Sequence, residues 1–147
     1  MIVFYSPLHE RHAPADEFFR GRRVPCFETP SRATLVRDAL VERGHELRGP
    51  THDAAPLLPR VHAPRYLAFL ESAWSQWLAL DPANATEQPF PAVWPVRTLR
   101  SDVEPADFVA RLGFYSMDNE TPISEGTWEA ARAGSDAAAS AAALVSS

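Results

Sequence analysis

The sequence predicts an α/β fold, and three features of the chain indicate it. Ile2–Tyr5 is apolar on both faces and rich in β-branched and aromatic residues, as parallel strands covered on both sides are. Residues 31–43 and 64–78 repeat apolar side chains at helical spacing. Prolines cluster at Pro50–Pro64 and Pro82–Pro105, where they disfavour helices and central strands, so ordered loops are expected there.

The first half of the chain begins with this strand and continues into an aperiodic segment. Ser6–Pro30 combines aromatic and charged residues, which favours a long, packed loop with a functional role. Ser31 is predicted to cap a helix that Gly44 ends at its C′ position. His45–Arg48 is predicted to begin a second short strand.

Two helices and a proline-rich segment are predicted for the second half. A helix begins at Pro64, and its apolar stripe is formed by Leu67, Leu70, Trp74 and Trp77/Leu78. Phe90 and Trp94 lie in a proline-rich segment, which makes that segment a candidate contact surface. An alanine-rich helix follows from Thr127. The helix has no glycine or basic residue at its end, which is compatible with a frayed natural terminus or with a larger domain interrupted at this point.

Composition limits the classes of function. The formal net charge of -5 disfavours nucleic acid and an anionic membrane as partners, because both bind basic surfaces, and it suits a cationic ligand. The single cysteine, Cys26, excludes an internal disulfide and favours a cytoplasmic protein. No apolar stretch of the sequence is as long as a transmembrane helix.

The residues alone do not name a reaction. His9 and His12 are three apart but lack a clear third metal ligand, and no phosphate loop, nucleophile elbow or HExxH motif is present. Asp16-Glu17 and Asp118-Asn119-Glu120 each lie near aromatic residues, so these two segments either line a mouth for an ammonium group or form solvated acidic turns.

Four stretches carry a family resemblance. They are His9–Arg32, Val61–Glu71, Phe90–Arg97 and Gly113–Ala131. In this order and spacing they resemble the opening of acetylpolyamine amidohydrolases, a branch of the histone deacetylase superfamily, and the match covers nearly the whole chain. Val61–Glu71 alone is typical of the wider superfamily, whereas Glu120–Ala131 is more specific to this branch.

The resemblance implies the N-terminal part of an arginase/deacetylase-like fold, with a central parallel sheet flanked by helices. Residues 1–147 would form an incomplete part of one such domain. The reaction implied is zinc-dependent hydrolysis of an N-acetyl amide. The family's zinc-binding and catalytic motifs come after this region, and the sequence has no His-His pair and no Asp-x-His. We therefore expect no zinc to bind this chain, assign it no catalytic or metal residue, and expect it to be inactive by itself.

The resemblance also assigns residues to the substrate channel. Glu17 matches an acidic residue that faces the charged end of the polyamine, and Phe27 matches an aromatic of the channel wall. Glu120 matches a second acidic rim position, with Asp118 close by. Arg32 matches an arginine near the acetate-release path, although a surface arginine at a helix start is the plainer interpretation.

Two further features follow from the alignment with the family. The proline-rich residues 78–103 match an insertion that builds a homodimer interface and narrows the channel; the alternative is a loop packed on its own domain. Val109 stands where the family often has a second glutamate, with Glu104 and Asp107 nearby, which leaves the preferred acylated amine open.

Three functions are consistent with these observations. The leading hypothesis is a segment of a zinc-dependent amidohydrolase that deacetylates acetylpolyamines or similar cationic acylated amines, to which this chain contributes channel-rim loops. The alternatives are a non-catalytic cation-binding or interaction module and an inactive truncated fragment. Half of a parallel sheet would expose strand edges and apolar faces, so an isolated fragment is expected to self-associate.

Overall fold

The predicted parallel strands form and pair with each other. In the computed structural model, which describes residues 1–96, 98, 102–120 and 122–146, β1 (Ile2–Phe4) runs parallel to β4 (Glu46–Arg48), with Val3 opposite Leu47. The intervening helix α1 (Ser31–Glu42) makes the crossover that two parallel strands require. The α/β class predicted from the sequence is confirmed.

The loop predicted over Ser6–Pro30 was wrong for its second half, which is a β-hairpin. Strands β2 (Asp16–Phe19) and β3 (Arg22–Pro25) pair in antiparallel register. Their two-residue connection places Arg20 at φ 51° and Gly21 at φ 76°, and turns of this type match the twist of the flanking strands. The available signal was Gly21, two residues after the Phe18-Phe19 pair. Arg20, at the first turn position, obscured it because it is not a typical turn residue.

The ends of α1 were only partly predicted. Gly44 has φ 77°, so the predicted C′ glycine is confirmed. The predicted cap was wrong: Pro30 occupies the N-cap position without a side-chain hydrogen bond, and the Ser31 hydroxyl instead lies 2.7 Å from that of Thr29. First-turn N–H groups instead donate to backbone carbonyl oxygens, that of Arg32 to Thr29 (3.1 Å) and that of Ala33 to Pro30 (3.1 Å), which makes a serine cap less necessary.

Helix α2 (Pro64–Leu80) was predicted, but its most buried face was not. Its buried residues are Phe69 and Ala73, which pack with Phe108 and Leu112, whereas the predicted stripe is only half-buried. The partner, α3 (Phe108–Tyr115), was missed because it is short and follows a proline-rich segment. Its cap was readable: the carboxylate of Asp107 accepts a hydrogen bond from the Ala110 N–H at 2.9 Å.

Helix α4 (Thr127–Ser146) confirms the predicted alanine-rich helix and binds a nearby loop. The buried hydroxyl of Ser140 accepts hydrogen bonds from the backbone N–H groups of Thr51 (2.8 Å) and His52 (3.0 Å). Asp136 accepts one from the Ala54 N–H at 2.7 Å. The small side chains of α4 therefore permit a close approach of backbone.

Contacts divide the chain into two compact units. The first comprises Met1–Ala13, Glu28–Leu67 and Glu125–Ser147, and it holds the parallel strands with α1 and α4. The second comprises Pro14–Phe27 and Ala68–Ser124, and it holds the hairpin, α3 and most of α2. Short 3-10 helices occur at Pro7–Arg11, Leu58–Arg60 and Pro82–Thr86. Of the helices that the structure describes, none is both long and apolar enough to cross a membrane.

Candidate functional site

The hairpin lies against the proline-rich segment within the second unit. The Phe18 and Phe90 rings meet edge to face with centroids 4.9 Å apart. Arg23 binds Asp16 (2.8 Å) and Glu87 (3.1 Å). Exposed ion pairs contribute little individually, so the aromatic pair is expected to contribute more to the attachment than these charges do. This face of the hairpin is therefore occupied, and the residues available for a ligand lie on its other face.

The other face carries Glu17, the first of the predicted rim residues. Glu17 is only 8% exposed. Its Oε2 accepts a hydrogen bond from the Phe27 backbone N–H at 3.1 Å and another from the Cys26 thiol at 3.3 Å. The structure thus places this carboxylate under the end of β3, where it binds the chain that leaves the hairpin.

Phe27, the predicted channel-wall aromatic, is a surface residue. Its side chain is 63% exposed, and its ring packs edge to face on Phe19 with centroids 5.8 Å apart. The guanidinium of Arg20 lies 5.0 Å from the centre of the Phe19 ring, which is a cation–π distance. The outer face of the hairpin therefore presents apolar rings beside a buried carboxylate.

Cys26 acts here as a hydrogen-bond donor. Burial, and then the hydrogen bond to Glu17, raise the pKa of the Cys26 thiol to about 11. A thiol with this pKa is protonated at neutral pH, and it is the thiolate that attacks electrophiles or binds metals. The sequence did not predict the hydrogen bond between Cys26 and Glu17.

Asp118 and Glu120, the other predicted acidic residues, lie in the segment after α3. Both are exposed, and Oδ1 of Asp118 accepts a hydrogen bond from the Glu120 N–H at 3.0 Å, which closes a tight turn. The structure thus brings Glu17, Phe27, Asp118 and Glu120 into the same compact unit. Thr121, which follows in the predicted family motif, lies outside the described residues.

The acidic residues near Val109 form contacts within the protein. Glu104 lies 3.8 Å from Arg111 in an ion pair, and Asp107 caps α3. Val109 itself is exposed on that helix. The two carboxylates nearest to Val109 along the chain are therefore engaged by groups of α3, one by its arginine and one by its N-terminal N–H.

Arg32 lies in the other unit, in the first turn of α1. It is exposed and forms an ion pair with Glu28 four residues earlier. Its predicted role near an acetate path stays a prediction.

The predicted insertion, residues 78–103, has two parts that differ in packing. Pro89 is fully buried and Phe90 half-buried, so this part packs on its own unit. Val93, Trp94 and Val96 are exposed. Four members of the insertion lie outside the described residues: Arg97, Leu99, Arg100 and Ser101.

The histidines are engaged with protein groups. In the first unit, His9 places Nδ1 2.9 Å from the Ser6 carbonyl oxygen and Nε2 3.2 Å from that of Pro30. His12 Nδ1 lies 2.8 Å from the Thr127 hydroxyl, and burial lowers the pKa of His12. Within residues 1–96, 98, 102–120 and 122–146, no three His, Cys, Asp or Glu side chains come together as metal ligands, so this donor set does not fit zinc.

Comparison with known proteins gives related sequences and a related structure. No family model matches the chain. Acetylpolyamine amidohydrolase 2 of Pseudomonas aeruginosa is 39% identical over 131 residues, which are 88% of this chain and 37% of that protein. The acetylpolyamine amidohydrolase of Mycoplana ramosa is 35% identical over 132 residues, which are 89% of this chain and 38% of that protein.

A solved structure agrees with these relatives. The crystal structure of acetylpolyamine aminohydrolase from Burkholderia pseudomallei superposes with a TM-score of 0.84 at 27% identity. It covers 99% of this chain and 41% of that one. The chain therefore spans less than half the length of the proteins it matches.

Proposed function

Because the chain is homologous to the N-terminal portion of acetylpolyamine amidohydrolases, we propose that it is part of an enzyme that removes acetyl groups from acetylpolyamines or similar cationic acylated amines. The observation that carries the proposal is the 39% identity over 88% of the chain, together with a fold match at a TM-score of 0.84. Homology over nearly the whole chain supports a shared reaction more strongly than fold alone does.

In this proposal the chain contributes to the rim of the substrate channel. Asp118 and Glu120 supply exposed negative charge, and Phe27 supplies an exposed ring, in the same unit as Glu17. Carboxylates attract an ammonium group by charge, and an aromatic face adds a cation–π contribution. The net charge of -5 favours a cationic substrate in the same direction.

Zinc dependence belongs to the proposal for the whole enzyme. The described residues do not fit a zinc site, so no chemical step is assigned to this chain through a metal. What the chain does is bind and orient the amine end of the substrate. The zinc ligands are proposed to come from polypeptide outside these residues.

The assembly and location complete the proposal. Exposed Val93, Trp94 and Val96 support a homodimer contact through the proline-rich segment. The single cysteine, Cys26, supports a cytoplasmic location, and the acidic balance supports a protein that does not bind nucleic acid or anionic membranes. Arg32 is proposed to lie near the acetate-release path.

A non-catalytic cation-binding module is the second candidate. The exposed acidic turn at Asp118–Glu120 supports binding without chemistry, since the described residues of its unit bring no metal cluster together. An inactive truncated fragment is the third, and it is supported by the short parallel sheet and the exposed apolar residues of α1.

The test compares two polypeptides: the 147-residue chain and the complete product of the reading frame that contains it. Each is mixed with an N-acetylated polyamine, and released acetate and bound ligand are measured with and without a chelator. The proposal expects acetate release by the complete product, loss of that release on chelation, and none from the chain. Ligand binding by both without hydrolysis supports the binding module and contradicts the proposal. Neither binding nor hydrolysis by either supports the inactive fragment.

A further inference from the structure

The buried carboxylate of Glu17 lies beside the exposed ring that the proposed function uses. Glu17 is 8% exposed, whereas Phe27 is 63% exposed. A residue that meets a cationic amine directly would be expected to present its oxygens to the channel. Here the ring occupies the surface and the carboxylate lies beneath the chain that carries it.

The two hydrogen bonds that the Glu17 side chain accepts from Phe27 and Cys26 reach the segment that leaves β3. Oε2 accepts from the Phe27 N–H and from the Cys26 thiol. A hydrogen bond from the Cys26 N–H to the Ala15 carbonyl, at 3.0 Å, lies alongside them. Because Pro25 ends the strand and has no N–H to donate, these bonds extend the hairpin by two residues.

The same bonds explain how a carboxyl group is tolerated in this position. A buried carboxyl group is costly unless its oxygens receive hydrogen bonds, and Oε2 of Glu17 receives these two. The raised pKa of Cys26 agrees with a thiol that keeps its proton and donates a hydrogen bond to this oxygen. Phe19 then supports the Phe27 ring from the side.

We propose that Glu17 is a positioning residue, which fixes the Phe27 ring at the channel rim through hydrogen bonds to the Phe27 N–H and the Cys26 thiol. It acts through Phe27 and does not bind the cationic end of the substrate itself. This inference rests on the proposed function for its effect on catalysis. The anchoring of Phe27 is independent of that function and is tested separately.

The first test uses the 147-residue chain and needs no activity. Glu17→Gln keeps an acceptor oxygen, Glu17→Ala removes it, and Glu71→Ala removes an exposed carboxylate elsewhere in the same unit. The readouts are hydrogen exchange at the Phe27 amide and the alkylation rate of Cys26. We expect Glu17→Ala to lose amide protection and to alkylate at least severalfold faster, Glu17→Gln to retain most protection, and Glu71→Ala to match the parent. Unchanged Phe27 protection in a folded Glu17→Ala variant would overturn the anchor.

The second test uses the complete enzyme and a double-mutant cycle. If Glu17 acts through Phe27, Glu17→Ala and Phe27→Ala raise KM for the acetylated amine similarly, and the double variant is little worse than either. Glu17→Gln keeps a KM near that of the parent. A Glu17→Gln variant as impaired as Glu17→Ala, with additive losses in the double variant, indicates direct charge recognition and contradicts the inference. If the parent enzyme shows no hydrolysis, the proposed function fails, while the amide-exchange result still decides the anchor.

Discussion

The hairpin β2–β3 and the parallel pair β1–β4 are both two-stranded, yet their surroundings differ. One face of the hairpin packs on Phe90 and Glu87, and its end is held by Glu17. The parallel pair has no further strand partner among the described residues, β4 is exposed throughout, and the neighbouring α1 buries no residue. Isolated two-stranded sheets are marginal in water. Local side-chain contacts thus define the hairpin region, whereas the parallel pair depends on what covers it.

The largest difference is expected between apolar side chains of the two compact units that hold these sheets. Phe69 is 4% exposed and stacks on Tyr115 at 4.8 Å between ring centroids, so Phe69→Ala should cost about 3–5 kcal/mol of unfolding free energy. Leu35 on α1 is 69% exposed, and Leu35→Ala should change stability by at most about 0.5 kcal/mol. Chemical denaturation of the two variants measures both. Equal losses would contradict the contrast.

A smaller difference is expected at two helical glycines. A β-carbon at Gly113 in α3 would overlap the Val93 carbonyl, so Gly113→Ala should displace the proline-rich segment and cost about 1–3 kcal/mol. Gly134 in α4 faces open space, and Gly134→Ala should stabilise the chain by about 0.5–1 kcal/mol. Opposite shifts of the denaturation midpoint are expected. A stabilised Gly113→Ala variant would show that Val93 does not pack on α3.

The hairpin turn should show an effect of about 1 kcal/mol. At φ 76°, Gly21 adopts a conformation that alanine disfavours, although no atom would collide with the new methyl group, so Gly21→Ala should destabilise through the backbone alone. Arg20→Asn should be neutral or slightly stabilising, because asparagine tolerates φ 51° better than arginine. Thermal unfolding of the pair checks this. A destabilised Arg20→Asn variant would instead indicate that the Arg20–Phe19 contact matters more than the turn.

A further effect is confined to alkaline pH. The pKa of Cys26 is raised by burial and by Glu17 to about 11, so the folded chain holds this proton more tightly than the unfolded chain does. The resulting stabilisation is complete below the ordinary thiol pKa of 9.0 and is lost as pH rises through about 11. Denaturation midpoints should therefore fall over this window and fall less in Cys26→Ser. An identical pH dependence in both proteins would mean that Cys26 titrates normally.

Regular patterns with local causes were readable from the sequence. The helix from Pro64, the alanine-rich helix from Thr127 and Gly44 were all predicted and are confirmed. The hairpin was missed because its first turn residue, Arg20, has a positive φ, and arginine is not a residue type from which a positive φ is expected. The buried face of α2 was misassigned because α3, which covers it, was not recognised.

The candidate site, too, could be predicted only in part from the sequence. Residue types near the rim were identified through family resemblance, but the burial of Glu17 depends on where β3 ends and how the chain turns after Pro25. Neither can be read from spacing along the sequence. Likewise, Glu104 and Asp107 were noted as acidic neighbours of Val109, and only the structure shows that one pairs with Arg111 and the other caps α3.

Discrimination by charge tests the central claim most directly. The kcat/KM of the complete enzyme would be measured for an acetylated polyamine and for a neutral N-acetyl alkylamine of equal length. The account predicts at least about a tenfold preference for the cation, equivalent to roughly 1.4 kcal/mol. Neutralising the rim with Asp118→Asn and Glu120→Gln should remove most of it. Equal rates on both substrates, or a preference that survives the double substitution, would contradict the assignment of these residues to a cation-selective rim.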